Sequence, residues 1–450
     1  MGQGSQAGRE RKWYDSQHAS LCVLGSYLRW TGFFRPLEAG IKLKQKVVKY
    51  TAVQKLEMLF VSLLAGAKTV YETGTTLRTD RALQVAFGLP GCADQSVIAD
   101  TLDAATAADV AALRAVAEAV FVQHSQARQH DFGQGVLVLD LDLSPMPASK
   151  ACEGSTKGYM GRCRSKTGRK LVRARASQYG ETVWEDVLEG RSVETLAVLQ
   201  AAVTAAERLL GLDGDDEAAA AKRARTEWRL DSGWGSDAIV DWLLGRGYQV
   251  TGKFKSTARV RKLVGAVSAW EPTANAGRDA AAVPEPIAFA RPVQQSAIRT
   301  PSTDTKKHKD GYQYAVLFTS RSDLDMQATV VHYDDRAAME ADLKSDKRGL
   351  GLAGLRKHKL AAQKVVVVLM ELAHNVLVWS RRWLAQRVPR LGQFGIVRLV
   401  QEVWAVPGRV KLVADWPRRV RLRPEHPRAR DMLEALRPLL TEGQTLGFWG

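Results

Sequence analysis

A short apolar run that ends in two acids is the feature that most constrains the fold of this chain. Residues 135–144 read Gly-Val-Leu-Val-Leu-Asp-Leu-Asp-Leu-Ser and precede a proline. Such a run between turn-forming residues is typical of a buried strand. Side chains two residues apart on a strand share a face, so Asp140, Asp142 and Ser144 are predicted to point the same way. Neighbouring buried acids repel unless a cation neutralises them, whereas a solvated strand edge or a loop cap would accommodate them without one.

Strand-like and helix-like segments alternate after this run. Apolar and β-branched residues predict four further strands, at 170–176, 181–188, 226–231 and 248–253. Apolar residues at three- and four-residue spacing predict two helices among them, at 193–210 and 237–244. This order predicts a mixed α/β sheet flanked by helices.

The parts on either side of this sheet differ in character. Residues before about 130 carry helical spacing. Residues 255 to about 310 are rich in Ala, Pro, Thr and Arg, and we interpret them as an inserted segment that closes with strands at 314–319 and 328–333. A long helical stretch is predicted over 335–383, broken near 349–354, before short strands and a final helix over 429–440.

The chain carries a strong positive charge. Its 450 residues include 65 Lys and Arg against 48 Asp and Glu, a formal net charge of +17 at pH 7. This charge favours a polyanionic partner, nucleic acid first and an anionic membrane second. Two basic stretches, 150–175 and 381–430, are typical of phosphate-binding surfaces, although a solvated face has the same composition.

Membrane, secreted and zinc-binding classes are not predicted. The best candidate for a membrane span, 365–379, is shorter than the roughly 18 residues required and contains Glu371, His374 and Asn375. No secretory signal opens the chain, and the four cysteines have no CxxC spacing. We therefore expect a reduced, soluble, intracellular protein that binds DNA or RNA.

A stripe of polar residues lies on the predicted helix that follows the inserted segment. On a helical wheel of about 100° per residue, Tyr333, Arg336, Glu340 and Lys347 fall within about 60° of one another, and Lys344 lies beside them. A solvated salt-bridge face is the alternative interpretation. That alternative does not explain a tyrosine in register with cations and a single acid.

A third acid ends another predicted strand. Residues 230–235 read Leu-Asp-Ser-Gly-Trp-Gly, so Asp231 follows a strand and precedes glycines that let a backbone pass closely. An ordinary aspartate turn would have the same pattern.

These motifs together resemble the cut-and-paste DDE transposases of bacterial insertion sequences that carry the Y-R-E-K signature. The signature is Tyr, two residues, Arg, three residues, Glu, six residues and Lys. Four residues of the stripe match every interval: Tyr333, Arg336, Glu340 and Lys347. Asp142 with Ser144 resembles the family's D-x-T/S strand end, with Ser where Thr is usual, and Asp231-Ser-Gly-Trp resembles its second-Asp motif. Leu372-Ala-His-Asn-Val-Leu resembles its L-A-Y-N-L helix, with His374 in place of Tyr.

The resemblance implies a ribonuclease H-like catalytic core, with the first acid on strand one, the second on strand four and the Glu on a late helix. It also implies five parts: an N-terminal helical, DNA-end-binding domain (1–130), the first part of the core (131–254), a mostly β insertion (255–325), the rest of the core with the Glu helix (326–385) and a basic C-terminal region (386–450).

The resemblance further implies a transposase that cuts an element at its ends and joins the 3′-OH ends to target DNA by two-metal-ion phosphoryl transfer. Asp142, Asp231 and Glu340 would be the catalytic acids and would hold two Mg²⁺ ions, with Mn²⁺ as a substitute, since carboxylates are the ligands that these ions prefer. DNA would be bound by Tyr333, Arg336, Lys344, Lys347, Arg418, Arg419 and Arg421. The partners would be the terminal inverted repeats and target DNA, bound by a homodimer in the bacterial cytoplasm, at the nucleoid and away from membranes.

Several alternatives remain open from the residues alone. The chain could be an inactive or repurposed relative that binds DNA without cutting, or a ribonuclease H-like nuclease unrelated to transposition. Asp140 competes with Asp142 for the place of the first acid. Trp234 and Trp270 could stack on an unpaired base or pack in the core.

Overall fold

The computed structural model describes residues 12–449, apart from residues 44, 46–48, 162–165, 256, 276, 305, 307 and 309. The chain forms two compact units. The first contains residues up to 124, 150–153 and 342 onward, and the second contains 125–149 and 154–341. The fold is mixed α/β, as predicted, and the described residues form one sheet in each unit. The five predicted parts concern roles as well as packing, and they stay predictions.

The N-terminal part of the first unit is mostly helical, as predicted. Its elements are β1 (Lys12–Ser16), α1 (Ala19–Trp30), α2 (Arg35–Gly40), α3 (Ala52–Leu64), α4 (Glu72–Thr76), α5 (Arg81–Ala86), α6 (Gln95–Asp103) and α7 (Ala107–His124). A capping box begins α3, where Thr51 and Gln54 each accept a hydrogen bond from the other's backbone N–H. The strand β1 was not predicted, because the strand that pairs with it lies near the other end of the chain.

The second unit is built on a large mixed sheet. Its first elements are β2 (Leu137–Pro147), β3 (Thr156–Lys157), β4 (Thr167–Ala176), β5 (Glu181–Glu189), α8 (Leu196–Leu210), α9 (Glu217–Ala224), β6 (Thr226–Leu230), α10 (Asp237–Gly245) and β7 (Gln249–Lys253). The central strand β2 is antiparallel to β4 and parallel to β6, and β7 continues the parallel set. On the other side, β5 pairs antiparallel with β4. The apolar residues of the first half of β2, up to Leu141, are buried, as expected for a strand covered on both faces.

The same sheet continues into the predicted insertion. The next elements are α11 (Ala258–Gly265), β8 (Glu271–Pro272), β9 (Asp279–Ala282), β10 (Gln294–Pro301), β11 (Tyr312–Thr319), α12 (Met326–Asp334) and α13 (Ala337–Gly349). Because β11 pairs antiparallel with β7, the strands of the insertion extend the sheet outward in the order β11, β10, β9, β8.

The strand predicted over 328–333 is wrong, because this segment lies in α12. The carboxylate of Asp325 accepts a hydrogen bond from the backbone N–H of Ala328 and caps the helix. The run Thr-Val-Val suggested a strand by composition. In the structure Val330 packs into an apolar cluster with residues of β9, β10 and β11, while the next valine is exposed.

The remaining elements complete the first unit. They are α14 (Leu360–Ala385), a 3-10 turn (Pro389–Gln393), α15 (Ile396–Arg398), a π-helical turn (Leu399–Val403), β12 (Gly408–Val413), β13 (Trp416–Leu422), α16 (Ala429–Ala435), a second 3-10 turn (Arg437–Leu439) and β14 (Thr445–Phe448). The predicted break near 349–354 therefore separates α13 from α14. A four-stranded sheet forms in the order β1, β12, β13, β14, with β14 parallel to β13 and the other pairs antiparallel.

The helix α14 is long and apolar enough, by length and composition alone, to cross a membrane, and it is the one such helix in the described part of the chain. However, 89% of its apolar window is buried inside the protein. Its buried polar groups are paired: Glu371 accepts from Arg114 at 2.8 Å, and the His374 Nδ1 lies 2.9 Å from Asp346 Oδ1. Burial and paired polar groups are typical of the core helix of a globular unit.

The carboxyl group of Glu57, on α3, is expected to make the stability of the protein depend on pH. The side chain is buried, and its Oε1 has no hydrogen-bond partner among the described residues. Burial, with the nearby charge of Glu38, raises the pKa of Glu57 from 4.5 to about 8. Because the folded state holds this proton more tightly than the unfolded state, the free energy of unfolding falls as pH rises through that interval.

We expect Glu57→Gln to remove this pH dependence. Since one pKa unit is worth about 1.4 kcal/mol, the variant should be more stable than the unsubstituted protein by up to about 4 kcal/mol at pH 8 and by much less at pH 5. Urea denaturation of both proteins at the two pH values measures the difference. The same pH dependence in both proteins would contradict the burial of an uncompensated carboxyl group.

Candidate active site

Two of the predicted acids follow the paired ends of neighbouring parallel strands. The last residues paired between β2 and β6 are Leu141 and Leu230. Asp142 and Asp231 are the next residue in each case. Residues in register on parallel strands point to the same face of the sheet. The local register of β2 and β6 therefore brings these two carboxylates to one edge.

The acid one pleat deeper on β2 has a different role. Asp140 is fully buried, and its two carboxylate oxygens accept hydrogen bonds from Arg229, from Nε at 2.7 Å and from Nη2 at 3.0 Å. Arg175 lies 3.7 Å away on the other neighbouring strand. The Asp142 side chain is 16% exposed. The geometry therefore favours Asp142 over Asp140 as the acid that a substrate or a metal ion can reach.

Asp142 is held by a serine and an arginine. Its Oδ2 accepts from the Ser144 hydroxyl at 3.0 Å, so the two polar residues of the D-x-S motif contact each other. Its Oδ1 accepts from Arg336 Nη2 at 2.8 Å, and the same nitrogen donates to the Leu141 carbonyl at 3.0 Å. Burial alone would lower the pKa of Arg336, but the charges of Asp142 and Asp231 outweigh it and raise that pKa. Arg336 is therefore a permanent cation that contacts Asp142 and lies within electrostatic range of Asp231.

The loop after Asp231 packs tightly against the end of β7. Asp231 Oδ1 accepts from the backbone N–H of Gly233 at 2.8 Å. At Gly235 a Cβ atom would lie 2.1 Å from the Lys253 carbonyl oxygen, so only glycine allows this approach. The adjacent Trp234 is fully buried and belongs to the core.

Lys253 is a site residue that the sequence analysis missed. Lys253 is the last residue of β7. Its neighbour Gly252 pairs with Leu230, so Lys253 is in register with Asp231. The negative charge of Asp231 stabilises the charged form of Lys253. Burial lowers the pKa of Lys253, and Asp231 opposes the shift. The sequence does show that Lys253 ends a predicted strand. It does not show the register of that strand beside β6, which is what brings Lys253 to Asp231.

The predicted helical stripe is divided by a turn. Tyr333 lies in α12, which ends at Asp334, and α13 begins at Ala337, so Arg336 lies in the turn between the helices. The wheel assumed one continuous helix from Tyr333 to Lys347, whereas the structure divides this segment at residues 335–336. The Arg336 side chain is buried against the sheet, whereas Glu340 is exposed.

Tyr333 connects the acid edge of the sheet with Glu340. Burial raises the pKa of its hydroxyl to about 12, Arg336 opposes this shift, and Asp231 and Glu340 are among the carboxylates that add to it. Asp231 and Glu340 are thus both within electrostatic range of one phenol. Tyr333 keeps its proton at neutral pH and remains a hydrogen-bond donor.

The other predicted DNA-binding residues lie in the first unit. Lys344 and Lys347 lie on the later turns of α13, and Arg418, Arg419 and Arg421 lie on β13 with exposed side chains. Their contact with DNA stays a prediction.

The basic stretch 150–175 is only partly a surface. Four of its cations are buried on β4: Arg169, Lys170, Arg173 and Arg175. Arg173 is paired with the buried Glu185 at 2.7 Å. The expectation that this whole stretch binds phosphate is wrong for these four residues, because their side chains are buried.

The donor types of the three predicted acids match those that Mg²⁺ prefers, since Asp142, Asp231 and Glu340 each supply carboxylate oxygens. Among the described residues, however, no group of three or more carboxylate, imidazole or thiol side chains is close enough to hold a metal ion. The guanidinium of Arg336 is the cation that Asp142 binds in this arrangement. If two metal ions were bound here, the Asp142 carboxylate would have to contact both the ions and the Arg336 guanidinium.

Substitution of the two acids on β2 should separate their roles. Asp140→Asn leaves the buried Arg229 without its counter-charge, and we expect the free energy of unfolding to fall by about 3–5 kcal/mol. Asp142→Asn should cost much less, because the side chain is partly exposed and asparagine still accepts hydrogen bonds. Urea denaturation measures both, and equal losses would contradict the division of roles.

Comparison with known proteins leaves the family of the chain open. No protein-family model and no curated protein matches it. Among solved structures it is similar to a piggyBac transposase, determined by cryo-electron microscopy as a synaptic complex with hairpin DNA, with a TM-score of 0.46 and 12% sequence identity over 88% of this chain and 83% of that chain. A likeness at this level assigns neither a family nor an activity to the chain.

Proposed function

We propose that the chain is a DNA transposase whose active site lies where the parallel pairing of β2 with β6 ends. The observation that carries the proposal is the register of these two strands, which brings Asp142 and Asp231 to one edge. Glu340 acts on Tyr333 together with Asp231, which supports a third carboxylate near the same edge. Counting the long strands β2, β4, β5 and β6, Asp142 lies on the first and Asp231 follows the fourth, as the resemblance to the Y-R-E-K transposases implies.

Asp142, Asp231 and Glu340 would hold two Mg²⁺ or Mn²⁺ ions in this proposal. When bound, such ions activate an oxygen nucleophile and stabilise the leaving oxygen of a phosphodiester. The other residues act by position and charge. Ser144 orients Asp142, and Tyr333 offers a proton donor that neutral pH does not remove. Arg336 and Lys253 supply positive charge where a phosphate would approach the acids.

The finer parts of the proposal follow the resemblance. The substrate would be double-stranded DNA, first the terminal inverted repeats of a bacterial insertion sequence and then a target site, with a homodimer bound to the paired ends in the cytoplasm. The net charge of +17 supports a polyanionic partner. Lys344, Lys347, Arg419 and Arg421 would bind backbone phosphates, which positions a duplex without reading its sequence. The Arg418 side chain donates to the Glu442 carbonyl instead.

A second candidate function is DNA binding without cleavage. It is favoured by the ion pair between Arg336 and Asp142, since this arginine is the cation bound to the first acid in this structure. A repurposed relative would keep the DNA-binding surface, and its Asp142 would stay paired with Arg336.

We expect Glu340→Gln to abolish cleavage while leaving DNA binding intact. The experiment uses the purified chain, Mg²⁺ or Mn²⁺, and a DNA fragment with the inverted repeats found beside the gene. Removing a direct metal ligand should cost more than the roughly 10- to 100-fold that loss of an outer partner costs. Gel electrophoresis measures cleavage and strand transfer, and a mobility shift measures binding.

Asp335→Asn is the matched control. Asp335 is an exposed acid in the turn before α13, so its neutralisation removes the same charge from the same neighbourhood. Cleavage should survive in this variant. Equal cleavage by Glu340→Gln and the unsubstituted chain would refute the assignment, and binding without any cleavage by the unsubstituted chain would support the second candidate.

A further inference from the structure

The four-stranded sheet of the first unit has an outer face that combines cations with tryptophans. We call it the basic–aromatic face, and its main residues are Trp13, Arg409, Lys411, Arg419, Arg421 and Trp449. These residues come from both ends of the chain, and β1, β12 and β13 bring them together.

Strand register explains why these residues share one face. Trp13 pairs with Lys411, and Lys411 pairs in turn with Arg419, so the three lie side by side across three strands. Arg409 and Arg421 form the next pair on the same face. The residues between them, such as Val410, Val420 and Leu422, are buried on the opposite face. The alternation therefore directs the charged residues outward.

The cations of this face lie over its tryptophan rings. The guanidinium of Arg421 is 5.1 Å from the centre of the Trp13 ring, and the Lys411 ammonium is 6.0 Å from it. Arg409 and Arg423 both lie 5.1 Å from the Trp449 ring. A guanidinium held over an aromatic ring in this way keeps N–H groups that can donate to phosphate. Asp15, 3.3 Å from Arg409, is the acid paired on this face.

We propose that the basic–aromatic face binds unpaired nucleotides of a single-stranded nucleic acid. Cations that follow a backbone, interleaved with aromatic rings and guanidinium planes on which bases stack, are the two components of single-strand binding. Duplex binding uses phosphate contacts and gains nothing from these partly buried tryptophan rings, since the bases of a duplex are stacked on one another. This binding rests on the sheet alone, so it can fail or succeed independently of the proposed active site.

Arg418 provides a matched control on the same strand. The register of β12 and β13 shifts beside it, and Arg418 leaves the alternation. Its Nη1 donates to the Glu442 carbonyl at 2.7 Å, and the side chain lines a small cleft with Trp30 and Trp416. Arg418→Gln therefore removes the same charge from the same strand without changing the basic–aromatic face.

The test measures binding of the full chain to labelled oligothymidylate of about 16 nucleotides, the upper site size of one single-strand-binding fold, by fluorescence anisotropy over a range of salt. The double variant Arg419→Gln/Arg421→Gln should weaken binding and reduce the salt slope by about 0.7 per lost phosphate contact. Arg418→Gln should leave both unchanged. Trp13→Ala should weaken binding roughly 5- to 150-fold, as expected for the loss of one base stack, and Trp13→Phe should retain most of the affinity.

A second readout reports stacking directly. An oligonucleotide with 2-aminopurine should lose fluorescence on binding, and Trp13→Ala should restore part of it. If circular dichroism shows that Trp13→Ala does not fold, the 2-aminopurine fluorescence is compared between the unsubstituted chain and Trp13→Phe, and this comparison decides whether a base stacks at Trp13. Oligouridylate distinguishes DNA from RNA as the source of the unpaired nucleotides. The proposal is overturned if a duplex of equal length binds as tightly with no effect of Trp13→Ala, or if Arg418→Gln weakens binding as much as the double variant.

Discussion

The buried ion pair between Asp140 and Arg229 is the interaction on which the candidate site depends. It joins β2 to β6 through two hydrogen bonds, and Arg229 also donates to the carbonyl of His332 on α12. A charged group without its partner at this depth would cost several kcal/mol, so the three elements are held together as a set. These elements carry Asp142, Asp231 and Tyr333. The edge where catalysis is proposed is thus positioned by charges that a substrate does not reach.

The acids of β2 show how burial separates a structural carboxylate from a reactive one. Both Asp140 and Asp142 are paired with an arginine, and they lie one pleat apart on the same face. The first pair is enclosed, while Asp142 keeps part of its surface. A carboxylate that keeps part of its surface can exchange its arginine partner for another cation at a lower desolvation cost than a carboxylate in the interior. The carboxylate–arginine pair at Asp140 therefore stabilises the sheet, whereas the pair at Asp142 can open to bind another group.

The positively charged residues of the chain lie in two different environments. On β4, arginines and a lysine lie inside the sheet, and Arg173 pairs with Glu185. On β12 and β13, cations alternate with buried valines and leucines and remain at the surface. A run of basic residues in a sequence looks the same in both cases. Only the cations at the surface can bind a polyanion. The net charge of the chain therefore exceeds the positive charge that nucleic acid can contact.

The sequence by itself determined the features that depend on near neighbours. These are the strand with Asp140 and Asp142, the strand that ends before Asp231, and the helix that begins after Asp334, although the strand expected over 328–333 proved helical because the cap at Asp325 outweighed its β-branched run. Tertiary structure decided which acid stays reachable, the turn that removes Arg336 from the stripe, and the pairing of β1 with β12. The reason is physical. Strand and helix periodicity is set by residues a few positions apart, whereas strand register and the burial of a charge are set by partners from distant parts of the chain.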